Sequence, residues 1–146
     1  MKKMICISCM AGFLSLISLT TKAYVNEEVL KSFHALFPRA THIKWVEYPD
    51  HVYVAFNLND IQVRGYYDTL GNLLSAIRYY KQQDLPLNIL QAVQKNYPGK
   101  KITGVTETST KDQIEYYVNL EDQKNIMIVK TGAIVSFELV EKFRKA

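Results

Sequence analysis

Past residue 23 the chain has no cysteine, because its two cysteines are Cys6 and Cys9. That excludes a disulfide framework, a thiolate nucleophile and a cysteine-based metal site from everything downstream. Histidine is scarce as well. His34, His42 and His51 form no His-x-x-x-His or His/Glu pair at ligand spacing. Ser32, Ser75, Ser109 and Ser136 lack the Gly-x-Ser-x-Gly elbow that exposes a nucleophile. The carboxylates are dispersed: Glu27-Glu28 and Glu121-Asp122 read as a helix start and a turn. Asp50, Asp60 and Asp68 fall at three separate turns, not around one glycine as in a calcium loop. The expectation is a protein that is not an enzyme, with no catalytic residues and no metal site; a hydrolase whose site converges from distant residues stays open as the least favoured reading.

An excess of positive charge is also missing once the N-terminus is set aside. The whole chain has 18 basic and 14 acidic residues, and Lys2, Lys3 and Lys22 precede residue 24, so 15 face 14 in the remainder. Near-neutrality gives no reason to expect nucleic acid as a partner. Nor is there a long apolar run. Ile5 to Leu19 is uncharged but too short to span a bilayer comfortably. With Lys2-Lys3 before it and Thr21-Lys22-Ala23 after it, residues 1–23 read as a cleavable signal peptide. The mature protein is then expected in the periplasm or secreted, with no stable membrane insertion after cleavage. Residues 24–146 form one domain.

That domain carries a duplication. Val29-Leu30-Lys31-Ser32-Phe33 runs to Phe37-Pro38, and Ile89-Leu90-Gln91-Ala92-Val93 runs to Tyr97-Pro98, 60 residues later. Phe56-Asn57-Leu58 returns as Val118-Asn119-Leu120 at an offset of 62, and Thr69-Leu70-Gly71 returns as Thr131-Gly132. The apolar spacing of the first pair predicts two helices, the first capped by Asn26 and stopped by Pro38. The reading is two repeats, about 25–82 and 83–142, joined near Lys81–Asp84.

Each helix is followed by β-rich runs separated by turn residues: Pro49-Asp50, Asn59-Asp60 and Thr69-Leu70-Gly71. Pairing Tyr48 with His51, Leu58 with Ile61 and Tyr67 with Leu73 collects one apolar face. It holds Trp45, Val52, Val54, Phe56, Val63, Tyr67, Leu73 and Ile77. In the second repeat a two-residue turn at Thr131-Gly132 collects Ile114, Tyr116, Val118, Ile126, Ile128 and Leu139. The expected fold class is α+β, two tandem repeats of a helix plus a four-stranded antiparallel meander. One eight-stranded sheet and two four-stranded sheets are both compatible with it.

The opposite face of the first meander is expected to present Tyr48, Tyr53, Arg64, Tyr66, Arg78 and Tyr80. A solvated face is ordinarily richer in Thr, Ser, Lys and Glu. Tyr and Arg bury area at low entropic cost and keep a polar tip, so they concentrate at interfaces. Tyrosine is also simply a good strand former, and such a face can serve self-association as well as a foreign partner.

Phe37-Pro38, the Trp45 strand, Tyr53-Val54-Ala55-Phe56, the Tyr67-Asp68-Thr69-Leu70-Gly71-Asn72-Leu73 hairpin and Leu85-Pro86 occur in an order that resembles the exported PepSY-like proteins of Gram-negative anaerobes. These share the β-lactamase-inhibitor-protein-like fold. In the second repeat Tyr97-Pro98 and the Gly132 hairpin match, whereas Gly104 stands near the place of the tryptophan. The resemblance implies no cofactor and no catalytic residue. By fold analogy alone it implies a non-enzymatic binding protein that grips a protein or peptide of the cell envelope with an open sheet face, as an inhibitor does. The competing expectation is a binder of small ligands or envelope polymers that uses tyrosines as stacking platforms, which requires a closed pocket lined by Tyr48, Tyr53 and Tyr66.

Overall fold

A computed structural model describes residues 25–145; the signal peptide read at 1–23 lies outside the described residues. The elements are α1 (Glu27–Leu36), β1 (Thr41–Glu47), β2 (His51–Leu58), β3 (Ile61–Asp68) and β4 (Leu73–Tyr80), then a 3-10 turn at Gln82–Asp84. They continue with α2 (Leu87–Asn96), β5 (Lys101–Thr110), β6 (Ile114–Glu121), β7 (Asn125–Gly132) and β8 (Glu138–Arg144). All eight strands form one antiparallel sheet in chain order, β1 to β8. The two repeats therefore share a single sheet.

Helix α1 begins where the Asn26 side chain accepts the Glu28 N–H (2.9 Å), with Glu27 and Glu28 favourable in the first turn. Both helices end on an aromatic residue whose N–H returns to the helix: Phe37 to Phe33 and Tyr97 to Val93. The two end residues have nearly the same backbone angles, φ −128°, ψ 61° and φ −129°, ψ 58°. The duplication is thus visible in geometry as well as in sequence. Val29 and Phe33 of α1 are fully buried over β2 and β3, and Phe33 meets Trp45 and Phe56 edge-on at 4.9 and 5.0 Å. Ile89 and Val93 of α2 do the same over Val105, Val118 and Val129. Burial of each such side chain contributes about 1.5–3 kcal/mol.

The first three strands have the expected register: Trp45 opposite Val54, Phe56 opposite Val63, Val52 opposite Tyr67. Asn59 and Asp60 both take positive φ, 50° and 66°, as a two-residue hairpin turn of the primed kind requires. His42 does not lie opposite Asn57; Thr41 does, and His42 (φ 53°) sits in a bulge of β1.

Two register expectations fail. Tyr67 pairs with Leu73, but Leu74 is an extra residue, so Val63 lies opposite Arg78 and Ile77 moves to the other face. In the second repeat β7 runs through Thr131 and Gly132 without turning there. The reversal into β8 comes later, over 133–137. β7 takes its phase from the turn before it, at Asp122–Lys124, where the Asp122 carboxylate accepts the Lys124 and Asn125 N–H groups at 2.8 and 2.7 Å. Met127 and Val129 consequently face the core, while Ile126 and Ile128 face away.

Between the two apolar clusters lies a polar join. Glu107, 7% exposed, receives the Tyr80 hydroxyl at 2.9 Å and is ion-paired with Arg78. Glu107 lies opposite Tyr116, as Trp45 lies opposite Val54 one repeat earlier, so Glu107 and not Gly104 holds the tryptophan's place.

Tyr67 is fully buried in the first cluster, and among the described residues its hydroxyl finds no hydrogen-bond partner. Burial pushes its pKa up to about 12. The folded protein then keeps a proton that the unfolded chain releases from pH 10 upward, so stability falls as pH rises from about 10 to about 12. Tyr67→Phe removes the unsatisfied group. It is expected to leave stability at neutral pH unchanged or raise it by about 1 kcal/mol, and to flatten part of the alkaline decline. Urea denaturation at pH 7 and pH 11 checks this; a loss above 1 kcal/mol at pH 7 would mean that the hydroxyl is paired.

Candidate binding face

The pairing that buries one face of the sheet under α1 and α2 leaves the other face without a covering element among the described residues. Alternation along β2 and β3 sends His51, Tyr53, Arg64 and Tyr66 there, and β1 adds Lys44 and Val46. Tyr48 and His51, brought together by the Pro49-Asp50 turn, stack at 4.5 Å and 13°. Tyr53 and Tyr66 are direct cross-strand neighbours, with centroids 5.4 Å apart. The Arg64 guanidinium lies 5.0 Å from the ring centroid of Tyr79 on β4, a cation–π distance. Val46, Tyr48, His51, Tyr53, Arg64 and Tyr66 line a shallow hollow of about 260 Å³.

Of the six residues expected on this face, Tyr48, Tyr53, Arg64 and Tyr66 lie on it. Arg78 and Tyr80 do not: the extra residue at Leu74 turns both to the helix side, where they meet Glu107. Burial first, then the Glu107 charge, hold the Tyr80 hydroxyl far above the usual tyrosine pKa. His51 and Tyr79 take their places among the rings. His51 was legible, because the Tyr48–His51 pairing already implies a shared face; Tyr79 depends on a bulge that no sequence pattern marks.

The second repeat furnishes the open face differently. Thr106, Thr108 and Thr110 of β5 come first, then Glu115, Tyr117 and Asn119 of β6. Lys130 of β7 reaches Glu115 at 3.5 Å and Glu138 at 3.3 Å, which raises its pKa. Ile126 and Phe143, paired across β7 and β8, form an exposed apolar corner.

Two of the turn carboxylates are occupied locally. Asp50 bonds His51 at 2.7 Å, and Asp68 accepts the Leu70 and Asn72 N–H groups at 2.9 and 2.8 Å. Hydrogen bonds from these partners depress both pKa values. Among the described residues no three His, Cys, Asp or Glu side chains gather to hold a metal ion, and no helix is long and apolar enough to cross a membrane.

Two helices on one face of a single eight-stranded meander is also the arrangement of known structures. A BLIP-like protein from Bacteroides fragilis superposes with a TM-score of 0.62 at 17% identity, over 82% of this chain and 85% of that one. The fold is BLIP-like, that of the β-lactamase inhibitor protein. A DUF2874 family protein from Bacteroides uniformis matches with a TM-score of 0.60 at 13% identity, over 83% of this chain and 90% of that chain. A protein from Bacteroides eggerthii, assigned provisionally to the periplasm, matches with a TM-score of 0.60 at 12% identity, over 83% and 89%. No protein-family model and no curated protein matches the sequence. The BLIP-like part of the resemblance thus stands on coordinates, and the PepSY-like part on the sequence motifs alone.

Proposed function

We propose that this is an exported, non-enzymatic binding protein that recognises a protein partner of the cell envelope through the open face of its BLIP-like sheet, in the manner of an inhibitor. The observation that carries the reading is the uncovered face itself, where Tyr48, His51, Tyr53, Tyr66 and Tyr79 cluster round Arg64. Rings of this kind supply contact area with little conformational freedom to lose. Export is supported by the N-terminal pattern at 1–23 and by the provisional periplasmic assignment of one structural relative. The small-ligand alternative has less support. It needs an enclosed pocket, and the hollow of about 260 Å³ beside the tyrosines lies below the usual ligand-site range of roughly 300–1,000 Å³.

The test is a pull-down from an envelope extract of the source organism, with the purified protein and a Tyr53→Ser/Tyr66→Ser variant as parallel baits. Both are first matched for folding by circular dichroism. At least one envelope protein should be captured by the first bait and reduced about tenfold or more on the second. Equal recovery by both baits, or by neither, removes the support for this face.

A further inference from the structure

The two repeats place a cation at the same point of the sheet. Arg64 lies opposite Ala55 and Lys130 lies opposite Tyr117. Ala55 and Tyr117 are 62 residues apart, the offset that relates Asn57 to Asn119. In the second repeat this cation is answered from within the chain. Glu115 and Glu138 both reach Lys130, and the Tyr117 hydroxyl donates to Glu115 at 3.1 Å.

In the first repeat the same two places hold no carboxylate. Tyr53, 62 residues before Glu115, stands in its place. Ile77, opposite Arg64, stands where Glu138 is opposite Lys130. The difference is specific to this cation. Among the described residues Arg78, Lys100, Lys130 and Lys145 are partly buried and each pairs with a carboxylate, whereas Arg64 is partly buried and pairs with none. A partly desolvated guanidinium gains most from a charged acceptor, and its planar fork fits a carboxylate.

We propose that the first repeat's open face is a carboxylate-accepting site, in which an Asp or Glu side chain on a partner protein's loop docks on Arg64 beside Tyr53 and Tyr66. It takes the role that Glu115 plays for Lys130. The proposal rests on the reading of the open face as the binding surface and adds the partner's chemistry to it. One guanidinium among tyrosines suits one carboxylate. A nucleic-acid or anionic membrane partner calls for several clustered cations, whereas in the first repeat this face carries only Lys44 beside Arg64 among the described residues.

The test uses random heptapeptides displayed on phage, selected in parallel on the purified protein, on Arg64→Gln and on Tyr53→Ser/Tyr66→Ser, all matched for folding. Enriched peptides are synthesised with each Asp or Glu and with Asn or Gln in its place, and their affinities are measured by fluorescence anisotropy at two salt concentrations. The wild-type protein should enrich acidic peptides. The amide replacement and Arg64→Gln should each weaken binding about tenfold or more, and Arg64→Lys should retain part of it. Peptides without an acid that bind Arg64→Gln equally well, yet are lost on the tyrosine variant, overturn the carboxylate site and leave the open-face reading standing. Peptides that ignore the tyrosine variant, or no enrichment at all, overturn both.

Discussion

Replacing Glu107 with alanine is expected to cost about 2–4 kcal/mol of folding stability, one of the two largest losses foreseen for a single substitution here. The carboxylate sits at the join of two apolar clusters and binds both Arg78 and the Tyr80 hydroxyl. Its removal leaves a buried phenol without an acceptor and a guanidinium without its counter-charge. Arg78 keeps 33% of its side chain exposed, so water recovers part of the loss, and the value belongs below the upper end for a fully buried pair. The penalty comes from stranding the partners and not from the worth of the pair. An apolar triple variant, Arg78→Met/Tyr80→Phe/Glu107→Leu, is therefore expected to recover most of it. Urea denaturation of the alanine and triple variants, set against the wild type, measures both. A loss below about 1 kcal/mol for Glu107→Ala would mean that the join is hydrated.

Gly71→Ala is expected to cost a similar amount, about 2–4 kcal/mol, for a different reason. Gly71 has φ +86°, a region that disfavours any Cβ, and a Cβ there would lie 2.7 Å from the Glu28 carbonyl oxygen. That oxygen belongs to the helix backbone and cannot swing aside. The hairpin tip is also tied to the start of α1, since the Asn26 amide donates to the Thr69 carbonyl at 2.9 Å. The substitution thus pushes α1 off the sheet. Gly99 is the internal control: its φ is +75° but a Cβ would meet nothing within 4 Å, so Gly99→Ala should cost only the conformational strain, about 1 kcal/mol. Thermal and urea unfolding of the two variants separates strain from collision. Equal losses would show that the contact with α1 is soft.

The contrast between β1–β3 and the later strands explains how far the sequence can be read. Two-residue turns at Pro49-Asp50 and Asn59-Asp60 leave one register, and the apolar face then follows from alternation. Leu73-Leu74 offers two apolar residues in a row, so alternation cannot reveal which one is extra. The one-residue shift carried Arg78 and Tyr80 to the wrong side and hid Tyr79. In the second repeat Thr131-Gly132 imitates the earlier Leu70-Gly71 turn, yet Thr131 is buried in β7, where its hydroxyl accepts the Ser136 N–H at 3.2 Å. The reversal into β8 comes only over 133–137, and the phase of β7 is set by the preceding turn, which the Asp122 side chain organises. On the open face, Tyr48, Tyr53, Arg64 and Tyr66 were readable because they precede the bulge in β4. The unanswered charge on Arg64 was not readable, because it emerges only when the two repeats are laid over each other in space.

Both outermost strands of the sheet are irregular. β1 carries a bulge with His42 at positive φ beside Lys44, and β8 carries an extra residue, Val140, among Glu138, Glu141, Lys142 and Arg144. A margin kinked and charged in this way is a poor template for the strand of another molecule. Among the described residues a whole sheet surface is bare, yet the edges that flank it offer little for another strand to pair with, so what the sheet presents to other molecules is side chains on one broad side.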